Sequence, residues 1–294
     1  MFKHIPLLLL CLCSLQLAAQ QVSDSTFQYR PTSPRHAKGK GPVVYIDEGH
    51  HNFHTLSGRY APFARVLEAD GYQVRAHRGR FNAENLKDVD ILVIANALDS
   101  SSVGNWVTPT KSAFDASELV TLVSWVMQGG KLFLIADHMP FGGAAGPLAA
   151  SFGVEYCNCF AMDERQRAVE RFNKKQGTLN DTPLTAGIDS IVTFTGSAFA
   201  LLPDDAIPIL RLKQYSLLSP QRAWQFEDDT PIRDGDDFYQ LAILPYGSGK
   251  LVFSGEAAMF TAQIAGGQPV GMNHPQAGSN AKLLLALMHW LEEK

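Results

Sequence analysis

The sequence predicts an α/β protein built on a mainly parallel central sheet. Short, continuous apolar runs at Val43–Asp47, 89–95 and 131–136 are typical of strands buried on both faces. Helical patterns lie between these runs, as in a sheet covered by helices. Polar residues cluster where the apolar runs end. Because ligands of such sheets bind beyond the carboxyl ends of the strands, the fold class also predicts where a functional site would lie.

The first twenty residues have the pattern of a secretory signal peptide. Lys3 begins a short basic start, an apolar run covers residues 5–17, and small residues follow. We expect cleavage near Ala19 or Gln20, which would leave an extracytoplasmic mature chain, either periplasmic or secreted.

Other kinds of membrane attachment are less favoured by the sequence. The residues before Cys11 and Cys13 are leucines, whereas a lipoprotein signal has a small residue there. The N-terminal run is short for a bilayer, and no later run of about eighteen apolar residues follows, so we expect no transmembrane segment in the mature chain. The remaining cysteines, Cys157 and Cys159, are compatible with a disulfide, a shared metal or simple packing.

Length and composition limit the number of domains and the classes of binding partner. The chain has 294 residues, of which 46% are hydrophobic, and its formal net charge is −4. The basic residues are scattered, so a nucleic-acid partner is not expected. Residues 21–41 are polar and predict a flexible leader. We expect one α/β domain over 42–294, with an irregular insertion at about 158–238.

The expected elements follow one another along this domain. Asp115 and Glu118 form a capping box, and the apolar spacing after them predicts a helix that stops at Gly129. We expect further helices over residues 57–69, 142–152 and 279–291. Besides the three apolar runs named above, strands are expected over 72–75, 154–157, 191–195, 239–244 and 250–254.

Several motifs resemble the class I glutamine-amidotransferase-like superfamily. They are the run 129–138 followed by 152–154, the run 182–188, and the run 246–256. Within the superfamily the chain resembles an uncharacterised exported branch related to gliding-motility GldG-type and trehalose-utilisation-type domains. The resemblance implies a flavodoxin-like three-layer sandwich over about residues 42–294, while leaving the function of this branch open.

The chain departs from the resemblance at the catalytic position. Amidotransferases have a nucleophilic cysteine after a central strand, where this chain has Asp137 and His138. Without a thiol there to form the acyl intermediate, glutamine amidotransferase activity is not expected.

A candidate site is predicted where three strand ends and one loop converge. The strand ends are 47–54, Asp137-His138 and Gly255-Glu256, and the loop contains Asn273 and His274. Such ionisable groups are costly to bury together unless they are paired or bound to something. The predicted catalytic residues are Asp47, Glu48, His50, Asp137, His138 and Glu256, and the predicted substrate-binding residues are His51, Asn52, Arg59, Trp106 and Asn273.

Two chemistries fit these residue types equally well. In the first, a divalent metal such as zinc is held by ligands drawn from His50, His54, Asp137, His138 and His274. In the second, no metal is present, and His138 or His50 is a general base oriented by Asp137 or Asp47. No His-Glu-x-x-His or Cys-x-x-Cys motif favours the first.

Structural roles are the alternative for several of these residues. Asp47 and Glu48 are equally compatible with capping the turn after their strand. Asn52 and Asn273 could simply bind loop backbone, Arg59 could form a salt bridge, and Trp106 could pack as an anchor or stack on a sugar.

The sequence therefore favours a hydrolase-like enzyme acting on a carbohydrate or another small polar molecule. The alternative is a non-catalytic module of the cell envelope that binds a glycan or a protein partner. A third hypothesis is a degenerate domain in which the polar residues only hold loops together.

Overall fold

The computed structural model describes residues 21–165 and 169–293, so the predicted signal peptide at 1–20 lies outside the described residues. The helices are α1 (Ala61–Ala69), α2 (Ala83–Leu86), α3 (Ala116–Met127), α4 (Phe141–Ala150) and α5 (Asn280–Glu292). The strands up to the middle of the chain are β1 (Val22–Ser23), β2 (Val43–Asp47), β3 (Gln73–His77), β4 (Ile91–Ala95), β5 (Lys131–Ile135), β6 (Val154–Tyr156), β7 (Phe160–Asp163) and β8 (Glu170–Asn173). The later strands are β9 (Ser190–Thr193), β10 (Phe199–Leu201), β11 (Ile207–Arg211), β12 (Tyr215–Leu218), β13 (Ile232–Asp234), β14 (Tyr239–Tyr246), β15 (Gly249–Ser254), β16 (Ala262–Ala265) and β17 (Gln268–Gly271).

A largely parallel sheet forms the centre of this mixed α/β fold. Its strand order is β3-β2-β4-β5-β15-β14-β10-β6, and β11 pairs additionally with β14. The pairs among β3, β2, β4, β5 and β15 are parallel, whereas β14, β10, β6 and β11 join by antiparallel pairing. The parallel strands end at one edge, which is where the sequence predicted the site.

The central strands are buried because helices cover both faces of the sheet. All five residues of β4 are buried. Ile91 and Val93 pack in a cluster with apolar residues of α1 and α5, whereas Leu92 and Ile94 pack with residues of α3 and α4. Alternate residues of a strand point to opposite faces, so a continuous apolar run serves two layers of helices.

The helix predicted from the capping box begins as expected. The Asp115 carboxylate accepts hydrogen bonds from the backbone N–H groups of Ser117 and Glu118, and Glu118 accepts one from Asp115 N. These bonds satisfy N–H groups that the first turn leaves without helical partners. The helix continues to Met127, and its buried face includes Leu122 and Val126.

Residues 158–238 contribute β10 and β11 to the central sheet and also form two small antiparallel sheets. One has the order β13-β12-β7, and the other is the pair β8-β9. The strict flavodoxin-like three-layer sandwich stays a prediction, because the structure establishes a mixed α/β fold with these and other sheets.

The segment predicted to be a flexible leader has specific contacts with the domain. Strand β1 pairs antiparallel with β16. Arg35 Nε lies 2.8 Å and His36 Nε2 2.9 Å from the carboxylate of Glu292, in α5. Strand pairing with β16 and charged contacts with α5 therefore give residues 21–41 a defined path. The sequence did not predict this path because the segment has no apolar periodicity.

Cys157 and Cys159 are joined by a disulfide, which was one of the three alternatives. The carbonyl of Cys159 accepts a hydrogen bond from Met139 N, so the bridged segment lies against the loop that follows β5. Across residues 21–165 and 169–293, none of the helices is both long and apolar enough to cross a bilayer.

Candidate functional site

Five parallel strands bring polar side chains to the same edge of the sheet. Asp47 and His77 end β2 and β3, Asn96 follows β4, Asp137 follows β5, and Glu256 follows β15. The sequence-based expectation that these strand ends meet rested on topology alone. In the structure, the polar side chains at this edge form two groups, one centred on His50 and the other on Asp137 and His138.

In the first group, His50 is bonded through both ring nitrogens. Nδ1 lies 2.9 Å from Oδ2 of Asp47, and Nε2 lies 2.9 Å from Oε1 of Glu118. The Nδ2 group of Asn52 also donates to Asp47. The His50 ring stacks on Phe81, with 4.7 Å between ring centroids. The three ionisable side chains are almost completely buried.

This arrangement favours an imidazolium ion at His50. Burial acts to lower the pKa of His50, but the hydrogen bonds and charges of Asp47 and Glu118 outweigh it, so the pKa is raised above 6.5. A ring that donates from both nitrogens has no lone pair for a proton or a metal. This geometry favours a structural role for His50, with Asp47 as its partner, over the predicted roles as general base and metal ligand.

Asn96 connects the two groups. Its Oδ1 accepts a hydrogen bond from Asp137 N at 2.9 Å, and its Nδ2 donates to Nδ1 of His54 at 3.0 Å. Its backbone has φ of 50°, a left-handed conformation that asparagine tolerates better than most residues. Asn96 thus ties the loop after β2 to the loop after β5 and orients His54 as a neutral hydrogen-bond acceptor.

His54 is consequently a buried neutral residue. Burial, followed by the charges of Arg59 and His138, lowers its pKa to about 3. Its Nδ1 is occupied by Asn96, and its ring lies 4.7 Å from that of Tyr60. These contacts are those of a packed, buried histidine, and metal binding by His54 stays a prediction.

Asp137 and Glu256 form an interacting pair of carboxyl groups. Glu256 is fully buried, and it accepts hydrogen bonds from the backbone N–H groups of Ala258 and Met259. Burial and the nearby charge of Asp137 nevertheless raise the pKa of Glu256 well above its usual range. Burial also raises the pKa of Asp137, while His138 and backbone donors oppose the increase. Together these effects favour retention of a proton on the pair.

His138 is the imidazole that remains available next to this pair. Its Nδ1 lies 2.7 Å from the carbonyl oxygen of Met139, which makes Nδ1 the protonated nitrogen of the neutral ring. Within the described ranges, no side chain or backbone group is hydrogen-bonded to its Nε2. Asp137 accepts a hydrogen bond from the backbone N–H of His138, so a carbonyl, and not Asp137 as predicted, orients the ring.

Aromatic side chains surround His138. Its ring stacks on the buried Phe160, with centroids 4.6 Å apart and planes inclined by 10°. Trp224 lies edge-on to the His138 ring at 4.8 Å, and Trp106 lies at 5.9 Å. Trp106 also contacts Phe53, so it has packing contacts, and its predicted role as a sugar platform stays a prediction. Trp224 is the more exposed of the two tryptophans.

The predicted set of metal ligands is not assembled. Throughout residues 21–165 and 169–293, no group of three or more His, Cys, Asp or Glu side chains is arranged to hold a metal ion. His274 packs against the Phe194 ring and accepts a hydrogen bond from Gln276 N. His50 is bonded to carboxylates through both nitrogens, whereas Asn96 and Gln276 N each occupy only Nδ1 of His54 and of His274. The five predicted ligands are therefore not gathered around one point.

Most of the remaining predicted residues support loops. Glu48 accepts a hydrogen bond from Leu56 N. Asn52 donates to the Ala95 carbonyl as well as to Asp47, and Asn273 donates to Asp24 and to the Gln263 carbonyl. For these three residues the structural alternative accounts for the contacts that the structure shows.

Arg59 and His51 have different surroundings. The Arg59 guanidinium lies 3.9 Å from the centroid of the Phe53 ring, and burial lowers its pKa. Stacking on an aromatic face compensates such a group for part of its lost hydration. His51 is exposed and lines a cavity of about 230 Å³ together with Arg80 and Asp115.

Sequence reasoning missed several residues of this edge. The sequence identified Glu118 only as part of a capping box, which uses its Oε2. The contact of its other carboxylate oxygen, Oε1, with His50 depends on tertiary structure. Asn96 had a detectable signal, because it is a polar residue directly after an apolar strand. Trp224 and Phe226 lie in the irregular region, where no periodicity pointed to the site.

No known family profile matches this chain, and a sequence search among curated proteins also finds no match. Solved structures with a similar fold include the N-terminal domain of mmIFT52, with a TM-score of 0.62 and 12% identity over 85% of this chain and 98% of that domain. The protein STM1381 from Salmonella typhimurium LT2 has a TM-score of 0.50 and 14% identity over 85% of this chain and 99% of its own. These similarities show a shared fold alone.

A ThuA-like protein from Bacteroides uniformis ATCC 8492 is also similar. Its TM-score is 0.48 at 13% identity, covering 91% of this chain and 95% of that protein. Similarity at this level supports no conclusion about activity, so the function of the site has to be argued from its own residues.

Proposed function

We propose that this protein is a metal-independent, hydrolase-like enzyme that acts on a carbohydrate or another small polar molecule. The observation that carries the proposal is the position of His138, with Nε2 not bonded to any described residue, directly beside the Asp137–Glu256 pair. An acceptor nitrogen and a carboxyl group that retains a proton are the two components that general acid–base hydrolysis requires.

The two groups have distinct roles in this proposal. His138 Nε2 takes a proton from water, and the resulting hydroxide attacks the substrate. Asp137, which is partly exposed, gives its proton to the leaving oxygen. Glu256 is fully buried and does not touch the substrate; it is a positioning residue whose charge state controls that of Asp137. No covalent intermediate is required, which agrees with the absence of cysteine at positions 137 and 138.

We also propose that the protein works outside the cytoplasm. Residues 1–20 have the signal-peptide pattern, and disulfides such as Cys157–Cys159 persist mainly in oxidising compartments. Expression with the N-terminal segment intact, fractionation, and mass determination of the product would test this. An uncleaved chain recovered from the cytoplasm would contradict it.

The enzymatic proposal is tested with the full chain and a panel of oligosaccharides and chromogenic glycosides. For any substrate that is turned over, His138→Gln and Asp137→Asn should each lower kcat by about 10²-fold or more, because general acid–base groups contribute about 10²–10⁴. Asp204→Asn, at an exposed loop position, is the matched control and should leave the rate unchanged. Chelator should not change the rate. Unaltered turnover in both site variants would disprove the mechanism.

A non-catalytic glycan-binding module is the second candidate. The observation that favours it is the aromatic surroundings of His138, which would suit binding without turnover. Saturable binding of a glycan that the protein never converts would favour this function over hydrolysis.

A further inference from the structure

An exposed aromatic pair lies next to His138. Trp224 is 52% exposed and Phe226 is 39% exposed, and both rings contact the buried Phe160, with centroids 4.6 and 5.2 Å away. Since Phe160 stacks on His138, one buried ring connects the exposed pair to the candidate base. Single exposed apolar residues are common, but two exposed aromatic rings sharing one support at a polar site need an explanation.

Hydrogen bonds hold the segment that carries Trp224 in place. Ala223 N donates to the carbonyl of Trp106 at 3.0 Å, and Thr108 N donates to the carbonyl of Gln221 at 2.9 Å. Met139, Phe160 and Ala223 form a small buried cluster beneath the segment. These contacts join residues 221–224 to the loop that contains Trp106, so the Trp224 backbone has support on two sides.

The Trp224 backbone also has an unfavourable conformation. Its φ is 66°, a left-handed value that is sterically costly and that a bulky residue seldom adopts. A protein could avoid this cost with glycine, which would remove the ring. Retention of an exposed tryptophan at such a position is consistent with a role for the ring itself.

We infer that Trp224, supported by Phe226, is a stacking platform for a sugar ring whose hydroxyl groups face Asp137 and His138. The C–H groups of a pyranose form an apolar face that packs against an indole ring, while its hydroxyls need hydrogen-bond partners. Trp224 offers the aromatic surface, and the carboxyl of Asp137 and Nε2 of His138 offer the polar groups. This inference rests on the proposed function and selects a carbohydrate from the small polar substrates considered there.

Binding measurements on the full chain test this inference. Cello-, manno-, xylo-, malto- and chitohexaose are titrated separately, with tryptophan fluorescence and calorimetry as readouts. We expect at least one to bind, with Trp224→Ala weakening the affinity on the order of tenfold or more and Trp224→Phe retaining part of it. Trp290→Phe, in the last turns of α5, is the matched control and should leave the affinity unchanged. Thermal unfolding of each variant shows whether it is folded.

Three results would overturn the inference. The first is that none of the five oligosaccharides binds, and the second is that wild type and Trp224→Ala bind with equal affinity. The third is that the platform binds choline in preference to the oligosaccharides, since aromatic groups bind choline through cation–π attraction. Turnover of a non-carbohydrate that needs His138 but not Trp224 would reject the platform and keep the proposed function. Trp224-dependent glycan binding without any turnover would keep the platform and reject hydrolysis.

Discussion

His50 and Glu118, which are 68 residues apart in sequence, are joined by a 2.9 Å contact between Nε2 and Oε1. Asp47 occupies the other nitrogen of the same ring. The densest histidine run of the chain therefore contributes its first histidine to a buried charge network that links β2 with the N-terminus of α3. This network stabilises the wall of the site instead of performing its chemistry.

Replacing Glu118 with glutamine should destabilise the protein most at mildly acidic pH. Glutamine keeps an acceptor for His50 but removes a charge, at a cost of about 1–3 kcal/mol in the free energy of unfolding. Because the folded pKa of His50 is raised above 6.5, its charge contributes fully below about pH 6.5, and the contribution is lost as pH rises through the folded pKa. Chemical denaturation between pH 5.5 and 9 should show the difference from wild type shrinking as pH rises. Glu84→Gln is the exposed control, and a constant difference would contradict the prediction.

Ionisation of the buried Glu170 should lower the free energy of unfolding as pH rises towards neutrality. Burial, the largest effect, raises its pKa from 4.5 to about 7, although Thr193 Oγ1 donates a hydrogen bond to it. The associated stability is complete below about pH 4.5 and is lost as pH rises through about 7, amounting to roughly 3 kcal/mol. Glu170→Gln should flatten this part of the stability profile and raise stability at pH 8. The exposed Glu155→Gln should not, and an unchanged profile in Glu170→Gln would show that Glu170 titrates normally.

The coupling of Asp137 and Glu256 can be measured without a substrate. In Asp137→Asn the neighbouring negative charge is gone, so the pKa of Glu256 should fall while burial still keeps it above 4.5. A carbon NMR titration of protein labelled at the glutamate carboxyl groups would follow this shift. Asp204→Asn should leave the Glu256 signal unaltered. If Glu256 titrates identically in Asp137→Asn and wild type, the two groups do not share a proton.

Glu292 should anchor the N-terminal segment to α5 in a pH-dependent way. Burial acts to raise its pKa, but hydrogen bonds from His36, Tyr72 and Arg35 outweigh that effect and lower the pKa. The resulting stability is present above about pH 4.5 and disappears as pH falls through the folded pKa. Glu292→Gln should cost about 1–3 kcal/mol at pH 7 and less below pH 4.

Limited proteolysis provides a second readout of this anchor. Cleavage within residues 21–40 should accelerate in Glu292→Gln but not in the exposed neighbour variant Glu293→Gln. Equal cleavage rates in both variants and wild type would mean that the segment is held by other contacts.

The predicted elements agree well with the structure wherever local patterns determine them. Strand β2, Val43–Asp47, has the predicted limits, and the capping box at Asp115 begins α3. The helix expected over 57–69 begins only at Ala61, because Thr55 and Gly58 form turn hydrogen bonds before it. Boundaries of this kind depend on the hydrogen bonds of a loop, which periodicity does not reveal.

The sequence by itself determined the α/β class, the edge of the sheet at which polar groups gather, and the lack of a cysteine nucleophile after β5. These properties follow from apolar runs, strand order and residue identity, all of which are local. Only the tertiary structure decided which of these polar groups already have hydrogen-bond partners within the protein. A histidine is a base, a metal ligand or a structural cation according to the partners of its two ring nitrogens. Here those partners belong to residues such as Glu118, Asn96 and Met139. Their proximity to the ring nitrogens of the histidines is a property of the folded chain.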